Sequence, residues 1–180
     1  GTSLTFVATG EMSVQANFST AIATYNISEA TGTLENSTSS RYTTWSSSEV
    51  SGLYLTASYN SNAVEAISFN SGQVKLISAI YEDKTSTYKN PITYTLSAPD
   101  GYVITAYSMT YKSSSSNFAM TVANAQMTQT LANRDEVLTL SATGLSAQNT
   151  EFTVNGANTN YAIQVQEFTV TLQSEGGGAI

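Results

Sequence analysis

Few residues of this 180-residue chain could perform acid–base or nucleophilic chemistry. The sequence contains no histidine and no cysteine. Its many serines therefore have no ordinary proton acceptor, and thiolate catalysis is excluded. Lysine could act as a base in principle. However, Lys75 alternates with Val74 and Leu76 in a strand-like segment, which favours an outward-facing surface residue.

Carboxylates are the remaining catalytic groups, because glycoside hydrolysis needs two of them about 5–10 Å apart across a cleft. The adjacent pairs Glu82/Asp83 and Asp135/Glu136 point to opposite faces of an extended chain, and each pair has a basic neighbour. Solvated turns explain both pairs. A carboxylate-only glycoside hydrolase is therefore a third hypothesis, which requires that folding bring an acidic pair together.

The sequence also indicates no metal site. Transition-metal centres depend on histidine and cysteine, and the EF-hand spacing of acidic residues is absent. A calcium ion held by Asp100, an asparagine and backbone carbonyl groups is the alternative, but the turn-forming role of Asp100 explains the residue more simply. We therefore predict no catalytic residue, no metal, no cofactor and no enzymatic activity.

Aromatic residues are a more promising class, with eleven tyrosines, six phenylalanines and one tryptophan. Rigid rings can stack on the apolar faces of sugars at little cost in entropy, while amide and charged groups bind the hydroxyls. Trp45 lies in a Ser/Thr-rich segment typical of a binding loop, although a core role closing one end of the fold is the alternative. Tyr54 and Tyr59 are expected on opposite strand faces, so at most one should contact a ligand. The candidate ligand-binding residues are Arg41, Tyr42, Trp45, Tyr59 and Asn60.

Composition excludes several partners and favours one kind of compartment. Only 11% of residues are charged, against about 25% in an average domain, and the net charge is −7. Such a domain repels phosphate backbones and anionic membrane surfaces, so we expect no nucleic-acid binding. No apolar run of about 18 residues is present, so we expect no membrane insertion. The lack of cysteine fits a bacterial extracytoplasmic protein that is secreted, periplasmic or on the cell surface.

Hydrophobic alternation with a period of two recurs along the chain and predicts an all-β fold, an antiparallel, jelly-roll-like β-sandwich with no substantial helix. Residues 28–48 are expected to form a long loop, residues 126–133 are ambiguous, and Pro99-Asp100-Gly101 predicts a tight turn. The predicted strands span residues 4–9, 12–18, 21–27, 53–59, 64–69, 73–81, 92–98, 102–111, 118–123, 136–142, 151–155 and 161–172.

The domain organisation is predicted as one sandwich over residues 1–173, followed by a glycine-rich linker over residues 174–180 that leads to a further domain. Two smaller sandwiches divided near residues 83–90 are the alternative, because charged residues cluster there.

Several motifs occur in a familiar order. They are Tyr-Thr-Thr-Trp-Ser at 42–46, Leu-Tyr-Leu-Thr-Ala-Ser at 53–58, the segment 94–108 with Ala-Pro-Asp-Gly-Tyr at its centre (98–102), and the predicted strand segments 140–146 and 168–172. In these features, residues 41–172 resemble the non-catalytic β-sandwich domains attached to sialidases and other glycoside hydrolases of gut Bacteroidetes. The resemblance implies an accessory module beside a catalytic domain on the same chain. It carries no enzymatic activity with it, since nothing here matches a sialidase arginine triad or Asp-box repeat.

Three functions are therefore considered. The first is a non-catalytic accessory module of a secreted glycosidase that binds or targets carbohydrate, with glycans as partners. The second is a structural or adhesive domain, such as a fimbrial or spacer unit, that pairs with another chain through an exposed edge strand. The third is the carboxylate-only hydrolase.

Overall fold

A computed structural model describes residues 21–35, 42–58, 66–81, 88–114, 120–156 and 161–175. Strands account for the regular structure of these residues, and none of them is helical. The strands are β1 (Ile22–Asn26), β2 (Gly32–Glu35), β3 (Thr44–Ser47), β4 (Tyr54–Ala57), β5 (Ile67–Asn70), β6 (Gln73–Ile77), β7 (Ile80–Tyr81), β8 (Tyr88–Lys89), β9 (Ile92–Ser97), β10 (Tyr102–Ser113), β11 (Met120–Ala123), β12 (Thr128–Leu131), β13 (Leu138–Ala147), β14 (Asn149–Asn155) and β15 (Ala162–Ser174).

Two antiparallel sheets pack face to face, which confirms the predicted all-β sandwich. The six-stranded sheet has the order β13-β10-β15-β6-β5, with β1 also paired to β15, and the seven-stranded sheet has the order β12-β11-β14-β9-β4-β3-β2. Strands β7 and β8 form a separate ribbon. Both halves of the chain contribute to each sheet, since β4 pairs with β9 and β6 pairs with β15. No helix in the described part of the chain has the length and apolar character needed to span a bilayer.

The core lies between the sheets because one side of each long strand is apolar. In β9, for example, buried Ile92, Tyr94 and Leu96 alternate with half-buried hydroxyl residues. An aromatic cluster joins the two layers at Phe152 of β14. Its ring stacks on Tyr94 at a centroid distance of 5.4 Å and meets Phe168 of β15 edge-on at 5.8 Å. Ring pairs of this geometry stabilise a core beyond their buried area.

Each predicted strand within the described segments contains an observed strand, although the bounds differ. Residues 73–81, predicted as one strand, form β6 and β7, which belong to different sheets. Residues 28–48, expected as a loop, contain β2 and β3. That prediction was wrong because the Ser/Thr-rich composition hides two short strands that are tied to the core by Trp45. The ambiguous residues 126–133 contain β12. The predicted strands at residues 4–9 and 12–18 lie outside the described residues, and Ser174, assigned to the linker, is the last residue of β15.

The Pro99-Asp100-Gly101 turn is confirmed. The Tyr102 amide donates to the Pro99 carbonyl oxygen at 3.1 Å, and Gly101 has φ of 79°. A positive φ at the third position of a four-residue turn is the type II conformation, which strongly favours glycine.

Side-chain amides close one seam of the sandwich, where the edge strands β12 and β13 approach each other. Asn124 donates to the Ser141 carbonyl oxygen at 3.2 Å, and Gln129 donates to the Thr139 carbonyl oxygen at 2.8 Å. Gln126 both donates to the Thr143 carbonyl oxygen and accepts from its amide, at 2.8 and 3.0 Å. Three outward carbonyl oxygens and one outward amide of β13 are thereby covered, which hinders pairing of this edge with another chain.

Candidate functional site

Trp45, the central residue of the predicted ligand site, belongs to the core. Its side chain is 0% exposed, and the indole N–H donates to the Ser28 carbonyl oxygen at 2.9 Å. A side chain at position 32 would overlap the Trp45 ring, which explains the glycine there. The ring faces no solvent, so it cannot stack on a sugar in this structure, and the core role is the one observed.

The other predicted site residues do not form a described group around Trp45. Arg41, Tyr59 and Asn60 lie outside the described residues. Tyr42 is half-buried. It lines a cleft of about 440 Å³ between the edge strands β2 and β5, with Leu34 of β2 and Phe69 of β5 among the other lining residues. The backbone carbonyl oxygen of Tyr42 accepts from the amides of Ala66 and Ile67, each at 3.1 Å.

Two of the acidic residues singled out in the sequence, Glu136 and Asp100, have structural roles. Glu136 accepts from the backbone amides of Ala132 and Asn133 at 2.8 and 3.2 Å, which holds the turn before β13. Asp100 accepts from the Gln148 amide at 3.1 Å. The pair Glu82/Asp83 lies outside the described residues. Among the described residues, no group of three or more histidine, cysteine or acidic side chains could hold a metal ion.

Buried tyrosines connect the sheets. The Tyr94 hydroxyl lies 2.9 Å from the Ala66 carbonyl oxygen and 2.8 Å from that of Ile77, and burial raises its pKa well above 10.0. Burial raises the pKa of Tyr107 to about 12, despite a hydrogen bond from Asn124 that opposes the shift. Burial, aided by the negative charge of Glu136, also raises the pKa of Tyr111. Each of these hydroxyls is neutral at ordinary pH and serves as a bridge between layers.

A different surface brings together groups that suit a ligand, on the outward side of the central strands of the seven-stranded sheet. We call it the polar face. Its residues come from β3, β4, β9 and β14, and their positions are fixed by the strand register. One row across the strands is Ser46, Tyr54, Ser97 and Asn149, and the next row is Thr56, Thr95 and Glu151.

Tyr54 is the aromatic residue of the polar face. Its side chain is 38% exposed, on a strand whose neighbouring residue Leu55 is 0% exposed. The residues beside it in the row, Ser46 and Ser97, are small, so they leave the sides of the ring uncovered. A half-exposed ring between two short hydroxyl side chains offers a flat apolar contact with polar groups around it.

Glu151 and Asn149 provide the polar partners on β14. Both are exposed, and both line an open depression of about 560 Å³ between this strand and the turn at residues 123–125. The Thr95 hydroxyl donates to the Glu151 carboxylate at 3.3 Å, which orients the carboxylate along the face. Asn149 lies two strands from Tyr54, a separation of about 10 Å at the usual interstrand spacing.

Chemically, the polar face can bind a hydroxylated ligand. Tyr54 offers an apolar ring, Glu151 accepts hydrogen bonds, and the Asn149 amide both donates and accepts. Sequence reasoning weighed Tyr54 only against Tyr59 and missed Glu151 and Asn149. Alternation along each strand could have placed the three side chains outward, but the pairing of β4 with β9 and of β9 with β14 is not readable from one sequence.

No protein-family model, no curated protein and no solved structure matches this chain.

Proposed function

We propose that this chain is a non-catalytic carbohydrate-binding module, the accessory part of a secreted glycosidase, and that its binding site is the polar face. The observation that carries the proposal is the exposed Tyr54 ring, set between two serines and about 10 Å from the depression that Asn149 and Glu151 line. Saccharides present the matching pattern, with apolar ring faces and hydroxyls at the edges.

The energetics of such a site favour weak, reversible binding. One ring and a few hydrogen bonds must offset the translational and rotational entropy that the ligand loses. A module of this kind works through avidity, because linkage to another domain raises the effective concentration of the substrate near that domain. The resemblance of residues 41–172 to accessory domains supports this role. A catalytic domain on the same chain and an extracytoplasmic location are parts of the same proposal.

Exchanging the ring at position 54 tests the site. Tyr54→Ala should lower the affinity for the best neutral oligosaccharide of a panel by about fivefold or more, taking the ~1–3 kcal/mol of base–ring stacking as the analogue. Tyr54→Phe should keep most of the affinity because the ring remains. Isothermal titration calorimetry measures both, and far-ultraviolet circular dichroism checks that each variant is folded.

Ile22→Ala is the matched control, since Ile22 is an exposed apolar residue, 64% accessible, on β1 of the other sheet. It should leave the affinity unchanged. If no member of a broad glycan panel binds the wild-type chain, or if Ile22→Ala weakens binding as much as Tyr54→Ala, the proposal fails.

A structural or adhesive role is the second candidate, favoured by the free edge of β2. The Ser48 amide donates to the Thr31 carbonyl oxygen at 2.9 Å. Because bonded and non-bonded pairs alternate in an antiparallel ladder, the backbone groups of Gly32 and Leu34 face away from β3. No other described strand pairs with this side of β2. Association with another chain through β2, without any response to glycans, would favour this second role.

A further inference from the structure

We infer that the polar face selects uncharged glycans and discriminates against sialylated and other anionic ones. The inference rests on the proposed carbohydrate-binding function and specifies its ligand class. It follows from the distribution of charge over the two outward surfaces of the sandwich.

The outward strand residues of the seven-stranded sheet include only acidic charges in the described part of the chain. They are Glu35 on β2, which pairs with Thr44, and Glu151 on β14. The remaining outward residues are hydroxyl and amide side chains, Tyr54, and Ala123. An anionic sugar on this face therefore meets negative charge, and the described strands of the sheet place no basic residue beside it.

Two of the described basic strand residues lie on the other side of the molecule, and Lys89 belongs to the separate ribbon of β7 and β8. Lys75 of β6 and Lys112 of β10 alternate with buried residues of the six-stranded sheet, so they point outward from that sheet. The two sheets thus differ in surface charge, and the exposed ring is on the acidic one. A site selected for a carboxylated or sulfated sugar would place a cation beside its ring.

Glu151 itself suits a neutral sugar. An ionised carboxylate only accepts hydrogen bonds, and sugar hydroxyls can donate to both of its oxygens. Thr95 occupies one acceptor position at 3.3 Å, which leaves others directed toward solvent. Such charge-assisted hydrogen bonds are about twice as strong as neutral ones.

The discrimination can be measured with a matched pair of probes, lactose and sialyllactose, at low ionic strength. Two unit charges about 6 Å apart in water repel enough to weaken binding about threefold, and a less hydrated site increases this factor. We expect sialyllactose to bind at least threefold more weakly than lactose, with the ratio shrinking as salt screens the charges.

Glu151→Gln should bring the ratio of lactose affinity to sialyllactose affinity close to one. The glutamine amide keeps a hydrogen-bond acceptor but has no negative charge. Glu167→Gln is the matched control, since Glu167 is exposed on β15 of the six-stranded sheet and its substitution changes the net charge equally. The ratio should be unchanged in that variant.

The outcomes separate the two proposals. If lactose and sialyllactose both fail to bind and no other glycan of the panel binds, the carbohydrate-binding function itself is refuted. If sialyllactose binds as tightly as lactose or more tightly at low salt, glycan binding stands and the inference of neutral selectivity is overturned. A ratio that Glu151→Gln leaves intact also overturns it.

Discussion

Replacement of Asn124 by alanine tests whether side-chain amides hold the two sheets together at the closed seam. The Asn124 amide nitrogen donates to the Tyr107 hydroxyl at 2.8 Å and to the Ser141 carbonyl oxygen at 3.2 Å. Its side-chain oxygen accepts from the backbone amides of Gln126 and Met127, each at 2.8 Å. One half-buried side chain thus satisfies a turn in the seven-stranded sheet and an edge of the other sheet.

The magnitude follows from these four hydrogen bonds. The two within the turn are exposed, so water can replace them at little cost. The two hydrogen bonds across the seam join Asn124 to the Tyr107 hydroxyl and to the Ser141 carbonyl oxygen at the sheet edge. Tyr107 is only 2% exposed. A net loss of ~1 kcal/mol per bond, with an added penalty for a buried group left without a partner, gives a destabilisation of about 3 kcal/mol. For a chain of this size that corresponds to a fall in Tm of roughly 6–12 °C.

Differential scanning calorimetry measures the shift, and Gln148→Ala is the control. Gln148 is exposed and its side chain makes one hydrogen bond, to Asp100 at 3.1 Å, so its loss should change stability by less than about 0.5 kcal/mol. Combining Asn124→Ala with Tyr107→Phe should give less than the sum of the single effects, because the two side chains share a bond. Equal Tm shifts for Asn124→Ala and Gln148→Ala would refute the seam as a source of stability.

Two further predictions concern buried aromatic residues. The fluorescence of Trp45 should resist acrylamide quenching in the folded chain and become accessible on unfolding, and equal quenching in both states would contradict its burial. For the tyrosines, the pKa of Tyr107 in the folded state is about 12, above the ordinary value of 10.0, and burial shifts the pKa of Tyr94 and Tyr111 in the same direction. The folded state therefore keeps protons that the unfolded state loses. Stability should be fully retained below pH 10 and fall as the pH rises toward about 12, with tyrosinate absorbance of these residues appearing together with unfolding.

The fold class could be predicted from sequence because alternation and turn chemistry are local signals. In β9 and β10, the alternation of apolar and polar residues predicts which side chains face the core. Gly101 predicts its turn from the local sequence alone. The short strands β2 and β3 could not be recognised in the same way. β3 consists mainly of serine and threonine, and β2 has only four residues. The decisive contact is Trp45 packing over Gly32, which lies 13 positions earlier in the chain.

The site could not be predicted for a related reason. A unique tryptophan among polar neighbours suits a binding loop and a core equally well, and burial decides between the two only after the sheets have paired. Tyr54 and Glu151 belong to one surface because β9 lies between their strands. That juxtaposition depends on strand order, which a single sequence does not specify.

The position of these residues within the sheet also bears on how the site would work. Strands β4 and β9 each pair with a neighbour on both sides, and residues 149–154 of β14 pair with β9, so backbone hydrogen bonds connect the three strands. The spacing between Tyr54 and Glu151 therefore exists before any ligand arrives. A preorganised face avoids the entropic cost of ordering a loop on binding, which matters most when one ring and a few hydrogen bonds supply the affinity. A binding site on the long loop first expected around Trp45 would have carried that cost.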